Sequence, residues 1–556
     1  MLKKWLQKIE NSQISFWQIF FLIYVASFFR NFLENYANSY GEGFMTGIID
    51  TFFHFPLWFS AVFLSSFILL KIITKEKIEK ISRLGAFFSF IILIPPIADL
   101  LLNNKNIYSF GTGSVEQLIK SFIYFWGDNP GVKFGWGIKI EVAIVLLSVG
   151  YYIFLKTKKI GRSLIGIIIL YSIIYSFTIL PTFVFAVKNT LSNNPQEISV
   201  TSIYNFFYKQ EPSISTTNYR SFISDLSKFK PLAKQDTEKN FSITLSIILL
   251  LIDAMLLSWC FFFYDSKKLF SSLKNFRYLR IVYYYSLIFI GMILGIKLGK
   301  LDNQTIFGSL FDIVSLVSLF SAFLFAWLFA VWENDEEDIG IDEISNKNRP
   351  LVKKEISTNE WKSIKYLFLF FSLNFAFLSG FYTFIFILIF MAIYHIYSAQ
   401  PLRLKRFMII SSLLIAINAL LAVLAGFFFT VGTENLNVFP FKYALCIIGV
   451  VFLVENVKNL KDIEGDKKYG IKTLPVILGE KKSKLLIGTF FFFSMILVSF
   501  VFFLNIWTFF TAGLFGLILF LLINKEKFEE KYIFLAYFVF LIIFIIEIFY
   551  LSNSTL

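Results

Sequence analysis

The sequence is poor in the residues that build disulfides and zinc sites. Its 556 residues include two cysteines and two histidines. Cys260 and Cys446 both lie within apolar runs, which excludes a disulfide framework and a cysteine metal site. His54 and His395 are single and far apart in the chain, so no His/Cys set that suits zinc is available. A metal bound by this chain would therefore need oxygen ligands.

Charge is also scarce. Charged residues make up 16% of the chain, whereas a soluble domain carries about 25%. Hydrophobic residues reach 57%, 74 residues are Phe, and the mean hydropathy is +0.69. One aqueous core cannot bury so much apolar surface. Lipid must therefore be the solvent for much of the chain.

The charges that are present are mainly basic, and the formal net charge is +14. Such a charge could indicate nucleic-acid binding, but the placement of the basic residues argues against it. They lie in short clusters between apolar runs, at residues 71–83, 156–162, 267–280 and 403–406. This is the positive-inside pattern of membrane proteins. The pattern predicts an integral protein of the cell membrane with no nucleic-acid partner.

About fifteen apolar runs approach the roughly 20 residues that a helix needs to cross a bilayer. They begin near Phe16, Thr51, Ala86, Ile138, Leu164, Phe241, Ile281, Thr305, Trp361, Gly380, Phe407, Pro440, Lys484, Thr508 and Lys531. We predict an all-α polytopic membrane protein with a six-span domain at 1–264 and a nine-span domain at 265–556. Residues 188–240 are predicted to form an external loop. With the N-terminus in the cytoplasm, every short basic cluster falls on the cytoplasmic side.

A first acidic stripe follows the eighth predicted span. Asn334, Asp338 and Asp342 are spaced by four residues, so on a helix they lie one turn apart on one face. Clustered carboxylates disfavour each other's ionisation, and a bound divalent cation relieves the repulsion. Carboxylate and amide oxygens suit Mg²⁺, which is usually held by a few carboxylates together with substrate phosphates.

A second stripe follows the twelfth predicted span. Glu455, Asn459, Asp462 and Asp466 fall within an arc of about 60° if this segment is helical. Both stripes are predicted at cytoplasmic helix ends, where they could face each other across a bundle. Oxygen ligands from two facing stripes would suit Mg²⁺.

Basic side chains accompany both stripes and suit a phosphate-bearing ligand, because Arg can bind phosphate oxygens bidentately and Lys acts as a point charge. The candidates are Arg349, Arg403, Lys405 and Lys472, with Tyr397 at the start of the loop that carries two of them. Tyr397 could instead anchor the helix at the membrane interface. Lys472 could instead be one of the basic residues that only follow the positive-inside pattern.

In this order the three motifs resemble those of the UbiA superfamily of intramembrane prenyltransferases, over roughly residues 265–556. The 334–342 run followed by 348–351 looks like the first signature, residues 461–466 continuing to 473–475 like the second, and the 397–406 loop like the third. The resemblance implies a nine-helix bundle around a central cavity. It also implies Mg²⁺-dependent transfer of a prenyl group from a polyprenyl diphosphate to an aromatic or hydroxyl acceptor, with release of diphosphate.

The resemblance further implies roles for individual residues. The residues with an implied catalytic role are Asp338, Asp342, Asp462 and Asp466. The implied metal ligands are Asn334, Asp338, Asp342, Asn459, Asp462 and Asp466. The residues implied to bind diphosphate are Arg349, Arg403, Lys405, Lys472 and Tyr397. Many family members have an aspartate where this chain has Asn459, which leaves the number of ligands open. A quinone-ring precursor, a tetrapyrrole and a prenylglycerol phosphate all stay open as acceptors.

An alternative function keeps the same acidic residues: a non-enzymatic transporter or scaffold that binds a cation. The first 264 residues carry no catalytic motif and are only faintly similar to Yip-type membrane domains. They could form a scaffold, bind a protein partner or deliver lipid. Ionisable residues inside predicted spans are costly and often functional, which singles out Asp99, Asp253, Asp312 and Glu547.

Overall fold

The computed structural model describes residues 2–39, 49–102, 115–126, 136–183, 185, 233–298, 310–431, 436–502, 506–526 and 529–551. Throughout these ranges the secondary structure is helical, apart from one isolated parallel bridge between Phe407 and Lys472. The predicted all-α class is confirmed. Most of the predicted external loop, residues 188–232, lies outside the described residues, and residues 233–240 begin a helix.

The described part of the chain divides into two compact units. The first holds the residues up to Phe270 together with 310–315, and the second holds 271–298 and the residues from Leu316 onward. The predicted domain boundary between residues 264 and 265 stays a prediction.

The first unit consists mainly of helices that are apolar on most faces. They are α1 (Leu2–Glu10), α2 (Phe16–Ser39), α3 (Phe55–Thr74), α4 (Ile78–Phe88), α5 (Ile94–Leu102), α6 (Val115–Ile123), α7 (Trp136–Thr157), α8 (Ile160–Thr178) and most of α9 (Ala233–Lys274). A π-helical turn at Asp50–His54 precedes α3, and a 3₁₀ turn at Ser89–Leu93 joins α4 to α5. Helix α9 is kinked at Asp265, whose backbone is extended.

The second unit contains the long helices that carry the predicted motifs. They are α10 (Tyr278–Leu298), α11 (Leu310–Glu337, from Leu316 onward), α12 (Ile339–Ser345), α13 (Thr358–Ser379), α14 (Phe381–Ser398), α15 (Met408–Val431), α16 (Phe441–Val454), α17 (Ile463–Lys468), α18 (Leu474–Leu478), α19 (Glu480–Phe502), α20 (Ile506–Ile523) and α21 (Glu530–Leu551). Short 3₁₀ turns lie at Leu404–Arg406, Leu436–Val438 and Glu455–Lys461.

Thirteen helices among the described residues are long and apolar enough to cross a membrane. The chain is therefore a polytopic membrane protein, but the predicted count of about fifteen spans is not confirmed. Two predicted spans correspond to α13 and α21, which are 22 residues long yet are not among the thirteen.

Helices α10 and α15 pack backbone against backbone at glycines of both helices. A Cβ atom added at Gly291 would lie 1.9 Å from the carbonyl oxygen of Val423, and one added at Gly426 would lie 1.9 Å from that of Ile288. In lipid, where no water is expelled between helices, small residues allow the close van der Waals packing that drives helix association. The hydroxyl of Thr430 donates to the carbonyl of Phe427 in its own helix at 2.8 Å and lies 3.4 Å from the carbonyl of Met292 across the crossing.

Two fully buried tryptophans fix α13 against α11 just before the first acidic motif. The rings of Trp332 and Trp361 stack with centroids 4.7 Å apart. The indole of Trp361 also donates to the carbonyl of Trp332 at 2.9 Å. A capping box between Ser357 and Glu360 starts α13. The end of α11 is therefore rigidly positioned where the acidic residues begin.

Candidate active site

The first acidic stripe continues across a helix break. Helix α11 ends at Glu337 and α12 begins at Ile339, with Asp338 between them at φ −104° and ψ 13°. Backbone hydrogen bonds nevertheless link Asn334 to Asp338 (3.0 Å), Asp338 to Asp342 (2.8 Å) and Asp342 to Asn346 (2.8 Å). The predicted spacing of one turn is preserved, and Asn346 becomes a fourth member of the stripe.

The second stripe is not one α-helix. Glu455–Lys461 forms a 3₁₀ helix and Ile463–Lys468 forms α17, with Asp462 at the junction. A 3₁₀ helix has 3.0 residues per turn, so the predicted arc of about 60°, which assumed a continuous α-helix, is wrong. Glu455, Asn459, Asp462 and Asp466 nevertheless all line one cavity.

Both motifs line one cavity of about 420 Å³ in the second unit. The cavity lining includes Asn334, Asp338 and Asp342 from the first motif, Asn459, Asp462 and Asp466 from the second, and Arg349, Tyr397 and Lys405 from the basic loops. Two segments separated by more than a hundred residues therefore converge, as a shared ligand site requires.

Asn346 joins the two motifs directly. Its side-chain Nδ2 donates to Oδ1 of Asp342 at 3.0 Å and to Oδ1 of Asp462 at 3.2 Å. One amide thus holds one carboxylate from each motif. The local sequence alone assigned no role to Asn346.

Asp338 is held by two cations from the loop that follows α14. Nη2 of Arg403 donates to Oδ1 of Asp338 at 2.7 Å, and Nζ of Lys405 contacts Oδ2. Lys405 also donates to Oδ1 of Asn334 at 3.2 Å. Burial alone would raise the pKa of Asp338, but the attraction of Lys405 and Arg403 outweighs it and lowers that pKa. Asp338 is therefore an ionised carboxylate.

Arg403 takes up a left-handed backbone conformation, with φ 41° and ψ 55°. A non-glycine residue in this region costs about 1–3 kcal/mol and persists only where its surroundings enforce it. The bond from Arg403 to Asp338 supplies that enforcement. Strain of this kind is concentrated at ligand sites.

Arg349 and Arg277 converge on a carboxylate behind the cavity. Both guanidinium groups contact Oδ1 of Asp335, which is 1% exposed. Asn275 donates to its other oxygen at 2.8 Å, and Arg349 also lies 3.1 Å from Oδ2 of Asp342. Asp335 therefore positions two arginines that line the cavity.

Sequence reasoning assigned Arg277 only to a topological cluster, together with Arg280. The structure places both on the cavity wall, along with Lys458 and Lys461. Arg280 and Lys461 each bind Glu530 at 2.7 Å. The one available signal was the position of this basic run directly before a predicted span.

Tyr397 lines the cavity. It is 9% exposed, and its hydroxyl accepts a hydrogen bond of 2.9 Å from Nζ of Lys458. Lys472, in contrast, is exposed and does not line the cavity. Its backbone bridge to Phe407 joins the two basic loops. Its predicted contact with diphosphate stays a prediction.

Two cavity carboxylates resist ionisation. Burial raises the pKa of Asp342 to about 7, and repulsion from Asp335 and Asp338 opposes the lowering effect of Arg349. Burial, together with repulsion from Asp462, raises the pKa of Asp466 to about 7. An added cation would favour the ionised form of both groups.

The donor set fits Mg²⁺ that arrives with a phosphate ligand better than a preformed metal cage. Among the described residues, no group of three His, Cys, Asp or Glu side chains converges in metal-binding geometry. Mg²⁺ usually needs only one or two carboxylates, because substrate phosphates and water complete its octahedron. Asp462 and Asp466 from one motif and Asp342 from the other supply such oxygens.

The acidic residues inside predicted spans are not part of this cavity. Asp253 is fully buried in the first unit, and Asp312 is 1% exposed. Glu547 accepts a hydrogen bond of 3.5 Å from Thr511. The side chain of Asp99 lies outside the described residues.

Fold and site together define a helical membrane protein with an internal cavity in which acidic motifs and ordered basic residues face one another. The sequence profile of the UbiA prenyltransferase family matches residues 306–542. A digeranylgeranylglyceryl phosphate synthase from Methanococcoides burtonii is 31% identical over 212 residues, which cover 36% of this chain and 71% of that protein. The chain belongs to the UbiA prenyltransferase family.

Further relatives extend the comparison. A digeranylgeranylglyceryl phosphate synthase from Pyrococcus horikoshii is 30% identical over 163 residues, 29% of this chain and 56% of that protein. This chain thus spans just over half the length of that relative. A solved UbiA homolog from Archaeoglobus fulgidus, bound to GPP and Mg²⁺, is 23% identical, with a TM-score of 0.40 over 51% of this chain and 100% of that one.

Proposed function

We propose that the second unit transfers a prenyl group from a polyprenyl diphosphate to a hydroxyl or aromatic acceptor within the membrane and releases diphosphate. The observation that carries this proposal is the bridge of Asn346 between Asp342 and Asp462. It supports one shared site for both acidic motifs, on a cavity wall that also carries three arginines and three lysines.

Asp342, Asp462 and Asp466, with Asn334, Asp338 and Asn459, would hold Mg²⁺ in this site. The metal would neutralise charge on the diphosphate as the leaving group departs. Arg349, Arg277 and Lys405 line the cavity within reach of the same ligand and stabilise its negative charge directly. Arg403 keeps Asp338 ionised and orients it.

In this reaction the allylic carbon–oxygen bond breaks, and its electron pair leaves with the diphosphate. The positively charged allylic carbon then bonds to the acceptor, which gives up a proton. Tyr283, Tyr284, Trp327 and Tyr394 line the cavity beside the charged residues. Their aromatic faces exclude water and attract the transient cation.

The names of several archaeal relatives support a glyceryl phosphate acceptor with a free hydroxyl. The name of a plant relative, a naringenin 8-dimethylallyltransferase from Sophora flavescens, supports an aromatic acceptor instead. A geranylgeranylglyceryl phosphate is therefore the first acceptor to test, with a phenolic ring second.

We also propose that the cavity opens to the cytoplasmic side of the cell membrane. The support is the concentration of short basic clusters around it, as the positive-inside pattern requires. Both native cysteines are buried. A cysteine introduced at the exposed Lys472 should react with a membrane-impermeant maleimide only after the cells are opened.

The activity can be tested with purified protein in nanodiscs, labelled prenyl diphosphates and Mg²⁺. We expect Mg²⁺-dependent diphosphate release, which Asp466→Asn and Arg349→Met each reduce by about 100- to 1,000-fold, as for loss of one group that stabilises a developing anion. Glu464→Gln is the matched control, since Glu464 is exposed on the same short helix as Asp466.

Unchanged release in a folded Asp466→Asn variant would contradict the enzyme and favour cation transport or a scaffold role. Uptake of a divalent cation into proteoliposomes distinguishes these two alternatives. A role in transport requires uptake that Asp466→Asn abolishes.

A further inference from the structure

The first unit contains a cavity of about 540 Å³ that the proposed activity does not use. Its volume falls within the range of about 300–1,000 Å³ that is typical of small-molecule sites. The wall consists almost entirely of apolar and aromatic side chains from α1, α3, α4, α7, α8 and α9. This cavity suits an apolar ligand.

The cavity extends along several helical turns. Its lining residues run along α3 from Phe55 to Leu70, which are about 22 Å apart at 1.5 Å per residue. On α7 they run from Ile138 to Tyr152, about 21 Å apart. A single extended hydrocarbon chain matches this shape, whereas a compact ring system does not.

One end of the cavity is polar and holds an excess of acid. Nη1 of Arg30 pairs with Glu34 at 2.8 Å, and both side chains are 4% exposed. His54 pairs with Asp50 at 3.1 Å. Together with Glu141, three carboxyl groups share this end of the cavity, and the nearest of them to Arg30 is Glu34.

Glu141 is the unmatched group at this end. It is 8% exposed, lines the cavity and lies within electrostatic range of Arg30 and Glu34. Among the described residues its carboxyl group has no hydrogen-bond or ion-pair partner. A buried carboxyl group without a partner is costly, and a ligand that donates a hydrogen bond to it would remove that cost.

The opposite end communicates with the surroundings. Trp5 on α1 and Tyr151 on α7 line the cavity there and are 39% and 45% exposed. Helix α1 is amphipathic, with lysines opposite Trp5 and Leu6. Basic amphipathic helices of this type lie in the membrane interface, which gives a lipid a route to this opening.

We propose that this cavity binds a single-chain lipid whose non-anionic head group donates a hydrogen bond to Glu141. A hydroxyl and a primary amine share this chemistry. An anionic head group is disfavoured because it would meet Glu141 while Arg30 is already paired with Glu34. The apolar chain lies between α3 and α7, where it is removed from water.

Photocrosslinking of the full chain in nanodiscs tests the proposal. Three probes share one long alkyl chain with a diazirine and differ only in a hydroxyl, an amine or a phosphate head group. We expect the alcohol or the amine to label peptides of α3 and α7, with unlabelled hexadecanol or hexadecylamine as competitor. The phosphate probe should label these peptides at least about 10-fold less than the alcohol or amine probe does.

Two variants address the polar end and the chain separately. Glu141→Leu removes the acceptor and should reduce labelling by about 10-fold, since the buried head group loses its hydrogen-bond partner. Ser148→Phe fills the middle of the cavity and should block labelling by every probe. Glu79→Gln, on α4 outside the cavity lining, is the matched control that keeps wild-type labelling.

Glu141→Gln identifies the head group, because the amide still accepts from a hydroxyl but no longer attracts an ammonium. If the alcohol probe labels this variant and the amine probe does not, binding of the amine depends on the charge of Glu141. The proposal is overturned if α3 and α7 are not labelled, if Glu141→Leu folds and labels like wild type, or if the phosphate probe labels equally. Size-exclusion elution and melting temperature report folding of each variant.

Discussion

The side-chain amide of Asn346 lies 3.2 Å from the carboxylate of Asp462, although 116 residues separate them in the chain. The same amide binds Asp342 at 3.0 Å. This contact joins the two acidic motifs on the wall of the cavity that both line.

Replacement of Asn346 tests this contact. We expect Asn346→Ala to lower Mg²⁺ affinity and diphosphate release by about 10- to 100-fold, as for other residues that orient metal ligands. The melting temperature without metal should change little, because Asn346 is only partly buried. Asn359→Ala, at an exposed site near the start of α13, is the control. Equal metal affinity in both variants would mean that the bridge has no role.

The buried pair of Asp338 and Lys405 predicts that single and double variants differ in stability but not in activity. Lys405→Met leaves Asp338 with Arg403 alone and should lower both stability and activity, because loss of one partner of a buried pair costs about 3–5 kcal/mol. The double variant Asp338→Asn/Lys405→Met should recover stability but not activity. Thermal melting and a diphosphate release assay measure the two effects. Lys472→Met, at an exposed position, should leave the melting temperature unchanged.

Stability without metal should depend on pH in a defined direction. The pKa values of Asp342 and Asp466 rise from 3.8 to about 7 on folding. Their ionisation therefore opposes folding, so the melting temperature should fall as pH rises from about 4 to about 7 and then level off. Mg²⁺ binds the ionised carboxylates, so it should restore stability at pH 8 and have little effect at pH 5. Asp342→Asn should flatten the metal-free profile.

The crossing of α10 and α15 predicts a large effect from a single methyl group. In Gly291→Ala the new Cβ would lie 1.9 Å from the carbonyl oxygen of Val423. The helices must separate, and we expect the free energy of unfolding to fall by at least about 1–3 kcal/mol. Gly449→Ala in α16 is matched, because nothing lies within 4 Å of its new Cβ. A similar melting temperature for both variants would contradict the crossing.

Much of the site was predictable because it is encoded locally. The spacing of Asn334, Asp338 and Asp342 follows the helical repeat, and the structure preserves that spacing even where the helix breaks at Asp338. The second motif was harder, since nothing in its spacing distinguishes an α-helix from the 3₁₀ turn that forms at Glu455–Lys461.

Other residues could not be found by local reasoning. Arg277 precedes a predicted span, and its basic character suits topology equally well. Its contact with Asp335 depends on how α10 and α11 pack. Glu141 sits near the start of an apolar run, and its isolation appears only when neighbouring helices enclose the cavity.

The class of protein follows from composition and from the length of the apolar runs, because these dictate helices in lipid. The sequence also determined which residues carry charge at the ends of those helices. Only the tertiary structure decided that Asn346 meets Asp462 and that a second cavity surrounds Glu141. The physical reason is that such contacts arise from packing of large apolar surfaces. Packing is set by shape over the whole unit and leaves no periodic trace around any one residue.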